Sequence, residues 1–113
     1  MPAFRFDELP VAQPAPNTLR RHVHSDHLML VAVDFVHGPS QAAPPHQHPH
    51  EQISYVVAGE VNFIVGEGTG QTVDHLKPGD MVVVPCSAPH TVEVLTESAR
   101  LIDCFYPIRQ DFL

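Results

Sequence analysis

The stretch His46-Gln47-His48-Pro49-His50-Glu51-Gln52 places three histidines within seven residues. Side chains alternate with a period of two along an extended strand, so His46 and His48 would share one face with Cα atoms about 6.6 Å apart. Two imidazoles at that spacing can bind one metal ion at about 2.0–2.1 Å from nitrogen to metal. The stretch therefore predicts part of a metal site, and a proline- and histidine-rich surface loop is the alternative.

A bend at Pro49 decides whether Gln52 can join the two histidines. In a straight strand, four further residues would carry Gln52 about 13 Å beyond His48. Proline lacks an amide donor and is tolerated at bends and edges but not within a ladder. We therefore expect the chain to turn at Pro49-His50-Glu51, so that Gln52 opens a second strand and its amide oxygen faces the same ion.

Length and charge restrict the class of protein. A chain of 113 residues is expected to form one domain, since domains usually span about 50–250 residues. Hydrophobic residues make up 43% of the chain, which is enough for a core. The net charge of −7 argues against a nucleic acid or an anionic membrane as partner. A small anionic substrate is still compatible with this charge, because a metal ion and one arginine act locally.

The sequence contains no signal for export or membrane insertion. No apolar run approaches the roughly 20 residues that span a bilayer. The first residues lack a basic region followed by an apolar core, so no secretory signal is predicted. Cys86 and Cys104 are too few to indicate a disulfide scaffold. We expect a cytoplasmic protein with reduced thiols.

Proline and glycine punctuation predicts an all-β fold. The chain has twelve prolines, six glycines and little helical periodicity. The proline-rich residues 1–18 are predicted to form an N-terminal arm that runs extended along the surface and ends in a strand or a dimer contact. Residues 19–27 are interpreted as a solvated polar edge strand, and residues 28–36 as a continuous buried strand.

Further short strands separated by turn signals complete the pattern. They are predicted at residues 52–58, 61–65, 73–76, 81–84, 90–95 and 99–106. Lys77-Pro78-Gly79-Asp80 carries proline and glycine where a type II turn requires them. Roughly eight to ten short strands with regular turns indicate a sandwich or a barrel.

Two segments resemble known signatures. Gly38 followed by His46-X-His48-X3-Gln52-X6-Gly59 resembles the first signature of the cupin superfamily. Lys77-Pro78-Gly79-Asp80, with Pro85 and His90 after it, resembles the second signature of small bacterial cupins, in which the last histidine is a metal ligand. The resemblance implies that residues 1–113 form a single cupin domain, a double-stranded β-helix or jelly-roll barrel.

The same resemblance implies one divalent transition metal ion held by His46, His48, Gln52 and His90. Gln52 stands where the superfamily usually has a glutamate, so the shell is neutral and leaves the ion its full charge for a substrate. Three imidazoles and an amide oxygen suit zinc, nickel, iron or manganese. Because imidazoles bind metal in their neutral form, metal loading is expected to weaken as the pH falls below about 6.5.

A narrower resemblance concerns the activity. His48-Pro49-His50-Glu51-Gln52-Ile53 and the C-terminal residues 100–113 look like the small pectin-degradation cupins of the KdgF type. That family implies conversion of 4,5-unsaturated monouronates, released from pectin or alginate, into linear 5-keto-4-deoxyuronates. By resemblance Asp103 transfers protons, Arg109 clamps the substrate carboxylate and Phe105 packs against the sugar ring. Asp103 and Arg109 could instead form a surface ion pair.

Several alternatives stay open. His50 is a candidate substrate contact or a residue that orients a ligand, and an exposed bend position is the alternative. The chain could be another metal-dependent cupin enzyme, such as a dioxygenase or an isomerase, or a non-catalytic module that binds sugar or metal. A pocket containing both Asp103 and Arg109 would favour the uronate enzyme. The small core, the N-terminal arm and the edge strands indicate a homodimer.

Overall fold

The computed structural model describes residues 2–113, which form nine β-strands, three short 3-10 turns and no α-helix. The strands are β1 (Ala12–Ala15), β2 (Thr18–His24), β3 (Met29–Phe35), β4 (Glu51–Ala58), β5 (Val61–Val65), β6 (Thr72–Leu76), β7 (Met81–Val84), β8 (His90–Val94) and β9 (Ala99–Tyr106). The 3-10 turns cover Phe6–Glu8, Gly68–Gly70 and Gln110–Phe112. The predicted all-β fold is confirmed. In the part of the chain described, no helix has the length and apolar character needed to cross a membrane.

The strands form two antiparallel sheets. The larger sheet has the order β1-β2-β3-β9-β4-β7, and the smaller has the order β6-β5-β8. The main core lies between them and contains Val56, Val61, Phe63, Leu76, Val84, Val94, Ala99 and Leu101. Because β9 lies between β3 and β4, residues distant along the chain meet at the centre of the larger sheet. Two sheets closed over one core form the predicted jelly roll.

The bend before β4 forms as the sequence predicts. Strand β4 begins at Glu51, directly after Pro49 and His50, and its side chains alternate between buried and exposed. Gln52, Ser54 and Val56 are the buried set. The alternation turns Gln52 toward the interior of the barrel, as expected for a strand with one buried face.

The turn between β6 and β7 is also confirmed. The amide nitrogen of Asp80 donates to the Lys77 carbonyl oxygen at 2.9 Å, which closes a four-residue turn. Gly79 has a φ of +97°, the left-handed conformation that the third position of a type II turn requires. Proline and glycine therefore stand in this turn for conformational reasons.

Two strand predictions were wrong in detail. Residues 28–36 do not form a continuously buried strand, because β3 alternates and Leu30 is 52% exposed. Residues 19–27 do not form an edge strand, because β2 lies between β1 and β3 and the edge position belongs to β1. Neither an apolar run nor a charged run shows which face of a strand is buried, because the tertiary fold decides which face is covered.

The N-terminal arm is partly built into the sheet. Residues 12–15 of the predicted arm form β1 and pair with β2. Phe6 lies under the guanidinium groups of Arg21 and Arg100, with 4.2 and 4.4 Å from each Cζ atom to the ring centroid. The prediction that the arm ends in a strand is confirmed, whereas a dimer contact through the arm stays a prediction.

Candidate active site

A cavity of about 470 Å³ lies within the barrel. Its volume falls in the range of about 300–1,000 Å³ that is typical of small-molecule sites. Among the residues that line it are His46, Gln52, His90, Asp103, Phe105 and Arg109. The structure therefore brings together, around one cavity, six side chains that the sequence nominated from four separate segments.

His46 and His48 reach the site from a loop rather than from a strand. His46 forms an isolated antiparallel bridge with His90, with backbone N–O distances of 3.1 and 2.9 Å. The ring centroids of His46 and His48 lie 4.3 and 4.9 Å from that of His90. The prediction of a strand that carries both histidines was wrong, but the bridge to β8 brings their rings to the same place.

The three histidines offer a set of donors suited to a transition metal ion. One nitrogen from each of His46, His48 and His90 lies within 4.8 Å of the others. His90 Nδ1 lies 2.9 Å from the Ala88 carbonyl oxygen, which accepts its proton and leaves the lone pair on Nε2. His90 Nε2 is buried and without a hydrogen-bond partner. A buried imidazole nitrogen without a partner is explained if it binds a metal ion.

Burial also keeps these imidazoles neutral. Desolvation is the main cause that lowers the pKa of His46 to about 4, and the neighbouring His90 and His48 contribute to the shift. Part of the His46 side chain nevertheless reaches solvent. Desolvation likewise lowers the pKa of His48 and of His90. Neutral imidazoles are the form that binds metal. The ligands therefore stay competent to a lower pH than the value of about 6.5 expected from free histidine.

Gln52 lies between the histidines and Asp103: its amide oxygen faces His48, and its amide nitrogen begins a chain of hydrogen bonds to Asp103. Its Oε1 lies 2.9 Å from His48 Nε2, and its Nε2 donates to Ser54 Oγ at 2.9 Å. Ser54 Oγ in turn donates to Asp103 Oδ1 at 2.6 Å. Gln52 and Ser54 are 4% and 1% exposed. The chain fixes the amide so that its oxygen, rather than its nitrogen, faces the imidazoles.

Asp103 is a carboxyl group whose pKa is raised by burial. Desolvation raises its pKa to about 6, while the hydrogen bond from Ser54 and the charge of Arg109 act in the opposite direction. A carboxyl group with a pKa near the working pH can both give and take a proton. Asp103 does not form the surface ion pair with Arg109 that was the alternative, because Arg109 binds a different carboxylate.

Arg109 is paired with Asp111. Its Nε donates to Asp111 Oδ1 at 3.0 Å and its Nη2 donates to Asp111 Oδ2 at 2.7 Å. These bonds lower the pKa of Asp111. The Arg109 guanidinium also lies over the rings of Phe105 and Phe112, at 5.0 and 4.2 Å from the centroids. The Arg109 guanidinium, which was predicted to clamp a substrate carboxylate, therefore already binds a carboxylate of the chain itself.

The comparisons with known proteins agree with this architecture. The family described as Cupin domain matches residues 33–105, which include all four predicted metal ligands. This chain is a cupin. The pectin degradation protein KdgF of Dickeya dadantii is 41% identical to this cupin over 90 residues, which cover 79% of this chain and 76% of the relative.

Solved structures of other proteins have the same fold. KdgF from a Halomonas species superposes with a TM-score of 0.84 at 35% identity, over 97% of this cupin and 98% of that chain. A RmlC-like cupin from Shewanella frigidimarina also gives a TM-score of 0.84, at 29% identity over 97% of this cupin and 94% of that chain.

His50 and Phe105 occupy different positions relative to the cavity of this cupin. Phe105 is buried on the cavity wall and, as its parity predicted, shares that wall with Asp103. His50 is not among the residues that line the cavity. Its ring packs against His48 and Phe105, with centroid distances of 5.4 and 6.4 Å. This position fits a residue that orients His48 better than one that touches a substrate.

Sequence reasoning missed two polar residues near the cavity of this cupin. Ser54 could have been found, because it has the parity of Gln52 on β4 and faces the buried side. Arg20 lines the cavity from β2 and was interpreted as part of a solvated edge. Its inward direction could not be derived from the sequence, since the adjacent Arg20 and Arg21 place a charge on each face of the strand.

Proposed function

We propose that this cupin is a metal-dependent enzyme that converts 4,5-unsaturated monouronates into linear 5-keto-4-deoxyuronates. The single observation that supports it most is the presence of Asp103, with its raised pKa, in the same cavity as His46 and His90 of the three-histidine cluster. The similarity to proteins named KdgF supports pectin degradation as the context. His46, His48, Gln52 and His90 would hold the metal ion, which when bound supplies Lewis acidity toward substrate oxygens.

The conversion rearranges one molecule without adding or removing atoms. A proton leaves the C1 hydroxyl group, C1 becomes a carbonyl and the bond from C1 to the ring oxygen breaks. The ring oxygen forms the C5 ketone, and the electron pair of the C4–C5 double bond takes a proton at C4. Asp103 in its protonated form delivers the proton to C4, while water accepts the proton that leaves the C1 hydroxyl group. Ser54 holds the carboxyl group in place through Oδ1.

A direct assay tests the proposed function. Unsaturated uronates absorb ultraviolet light through the C4–C5 double bond, and this absorbance is lost when C4 is protonated. We expect metal-loaded protein to remove the absorbance faster than buffer with the same metal. Oxygen consumption with a different substrate and no loss of absorbance would instead favour a cupin dioxygenase. Binding of sugar without turnover would favour the non-catalytic module.

The pH dependence of kcat/KM tests the acid role of Asp103. Because burial raises the pKa of this carboxyl group to about 6, the protonated form predominates below that pH and is lost above it. We expect kcat/KM to fall about tenfold for each pH unit above about 6. The measurement is a profile on metal-loaded protein between about pH 5 and 8. A profile that rises through this range would show that the carboxylate, not the acid, is the required form.

We propose a cytoplasmic location and a homodimeric state for the same protein. Cys86 and Cys104 are both free and exposed, which is compatible with a reducing compartment. The dimer is supported by the outer face of the larger sheet, where strand register places uncharged side chains in two rows. One row is Leu30, Cys104, Ile53 and Val83, and the other is Ala32, Ile102, Tyr55 and Met81.

The size of this face fits a second copy of the chain. Eight large apolar side chains on or beside the two rows are 40–67% exposed: Leu28, Leu30, Ile53, Tyr55, Val57, Met81, Val83 and Tyr106. If each contributes about 100 Å², they amount to roughly 800 Å², the area that each partner buries in an interface of standard size. The two rows carry no charge on β3, β9, β4 and β7, and Arg21 lies beyond them on β2. Two copies can therefore meet face to face over these four strands despite the net charge of −7.

Substitution on this face is expected to separate the subunits. Val83→Lys should convert a dimer of twice the 12.5 kDa chain mass into a monomer, because it buries a charge in an apolar interface. Val73→Lys is the matched control, since Val73 is 56% exposed on the smaller sheet. The measurement is light scattering coupled to size-exclusion chromatography. A monomeric wild-type protein, or a dimer that survives Val83→Lys, would contradict the assignment of this face.

A further inference from the structure

Arg20 is a guanidinium on the cavity wall without a counter-ion of its own. It lies on β2 opposite Val33, which also lines the cavity. Its Nε is buried and has no hydrogen-bond partner, and its Cζ lies 3.7 Å from the centroid of the Phe112 ring. Within residues 2–113, the ion pairs of arginine involve Arg21, Arg100 and Arg109 but not Arg20.

The neighbouring charges do not supply the missing partner. Asp111 is bound by two hydrogen bonds to Arg109. Asp103 accepts its hydrogen bond from Ser54 rather than from Arg20. Burial and the positive charge of Arg109 lower the pKa of Arg20, whereas Asp111 acts in the opposite direction. Two guanidinium groups therefore line the cavity, and neither nearby carboxylate is bound to Arg20, because Asp111 binds Arg109 and Asp103 binds Ser54.

A partly buried guanidinium that lacks a hydrogen-bond acceptor is unfavourable unless a ligand supplies that acceptor. Removing a charged group from water costs free energy that only an opposite charge or hydrogen bonds can offset. The planar fork of arginine matches the two oxygens of a carboxylate and forms two parallel hydrogen bonds with it. An anionic ligand with a carboxylate is the chemistry that fits this position.

We propose that Arg20 receives the carboxylate of the ligand in this cavity and so determines specificity for acidic over neutral sugars. The proposal rests on the proposed function for the identity of the sugar acid. It changes the role expected of Arg109, which Asp111 already engages, from the clamp itself to a neighbour that positions Phe105 and Phe112. Arg20 is a binding residue and takes no part in proton transfer.

Kinetics with a charged and an uncharged substrate test this assignment. For Arg20→Gln we expect KM for the unsaturated uronate to rise about 10–100-fold, because hydrogen bonds to charged groups are lost, while kcat changes less. The methyl ester of the same uronate should be converted equally well by wild-type protein and Arg20→Gln. Arg20→Lys should restore part of the loss, since it keeps the charge but not the fork. Equal KM values for the free acid in wild-type protein and Arg20→Gln would overturn the proposal.

Arg21→Gln is the matched control. Arg21 is adjacent on the same strand, but it does not line the cavity: it packs on Phe6 and lies 3.5 Å from Asp34. The control variant should keep the KM of wild-type protein for both substrates. If it raises KM as much as Arg20→Gln does, the effect comes from disturbance of β2 and the proposal fails.

A binding measurement separates this proposal from the proposed function. D-galacturonate lacks the double bond, so calorimetric titration with it reports binding without turnover, and D-galactose serves as the neutral comparison. We expect wild-type protein to prefer galacturonate and Arg20→Gln to lose that preference. Absence of the ultraviolet change with wild-type protein would overturn the proposed function alone. Failure of wild-type protein to prefer galacturonate, or a preference retained by Arg20→Gln, would overturn the role of Arg20 alone.

Discussion

Replacing His90 with alanine is expected to remove both the bound metal and the activity. His90 lies between His46 and His48, and its Nε2 is buried without a partner. Residues that only orient metal ligands are each worth about 10–100-fold in affinity, so loss of a ligand itself should cost more than about 100-fold. A metal supplies several kcal/mol of transition-state stabilisation, so kcat/KM should fall by about 10²–10⁴-fold.

The control for His90→Ala is His75→Ala. His75 is a half-exposed histidine on the smaller sheet, and its Nε2 lies 2.7 Å from Glu60. This control should retain about one metal ion per chain and the wild-type rate. Metal analysis by mass spectrometry and the ultraviolet assay measure the two properties on the same samples. Chelated wild-type protein should recover on addition of metal, whereas His90→Ala should not. Full metal content in His90→Ala would remove His90 from the ligand set.

Replacing Asp103 with asparagine is expected to slow turnover strongly without loss of metal. Asparagine keeps the size of the side chain and an oxygen that accepts the hydrogen bond from Ser54. It cannot deliver a proton, and general acid catalysis typically contributes about 10²–10⁴-fold to the rate. We therefore expect kcat to fall by that factor and the pH dependence near pH 6 to disappear from the remaining activity.

Asp74→Asn is the control for Asp103→Asn, because Asp74 is exposed on β6 and lies away from the cavity. It should match wild-type protein in rate and in metal content. Reduced metal content in Asp103→Asn would indicate that the hydrogen-bond chain through Ser54 and Gln52 supports the metal site as well as the acid. A rate within about threefold of wild type would show that Asp103 is not the proton donor.

Much of this fold could be predicted from local sequence patterns. The turn at Lys77-Pro78-Gly79-Asp80 follows from the backbone preferences of its residues, and the bend at Pro49 follows from the missing amide donor. Period-two burial on β4 and β9 gave the shared wall of Asp103 and Phe105. Features that depend on spacing of two or four residues were therefore within reach of the sequence.

Features that depend on pairing between distant segments could not be predicted from the sequence. The segment with His46 and His48 is held by a bridge to His90 rather than by a strand of its own, and no local pattern encodes that bridge. The inward direction of Arg20 depends on its pairing with Val33 of β3, which also lines the cavity. The ion pair between Arg109 and Asp111 joins residues only two apart. It was not predicted either, because its geometry follows from the 3-10 turn at Gln110–Phe112.

The central claim is that His46, His48, Gln52 and His90 bind one metal ion. The most direct measurement is a crystal structure of the metal-loaded protein with diffraction data collected on both sides of the absorption edge of the metal. We predict one strong anomalous peak per chain, bonded to nitrogen atoms of the three histidines and to the Gln52 amide oxygen. A cavity without a peak, with the metal bound instead at the surface histidines His22, His24 or His27, would contradict the account.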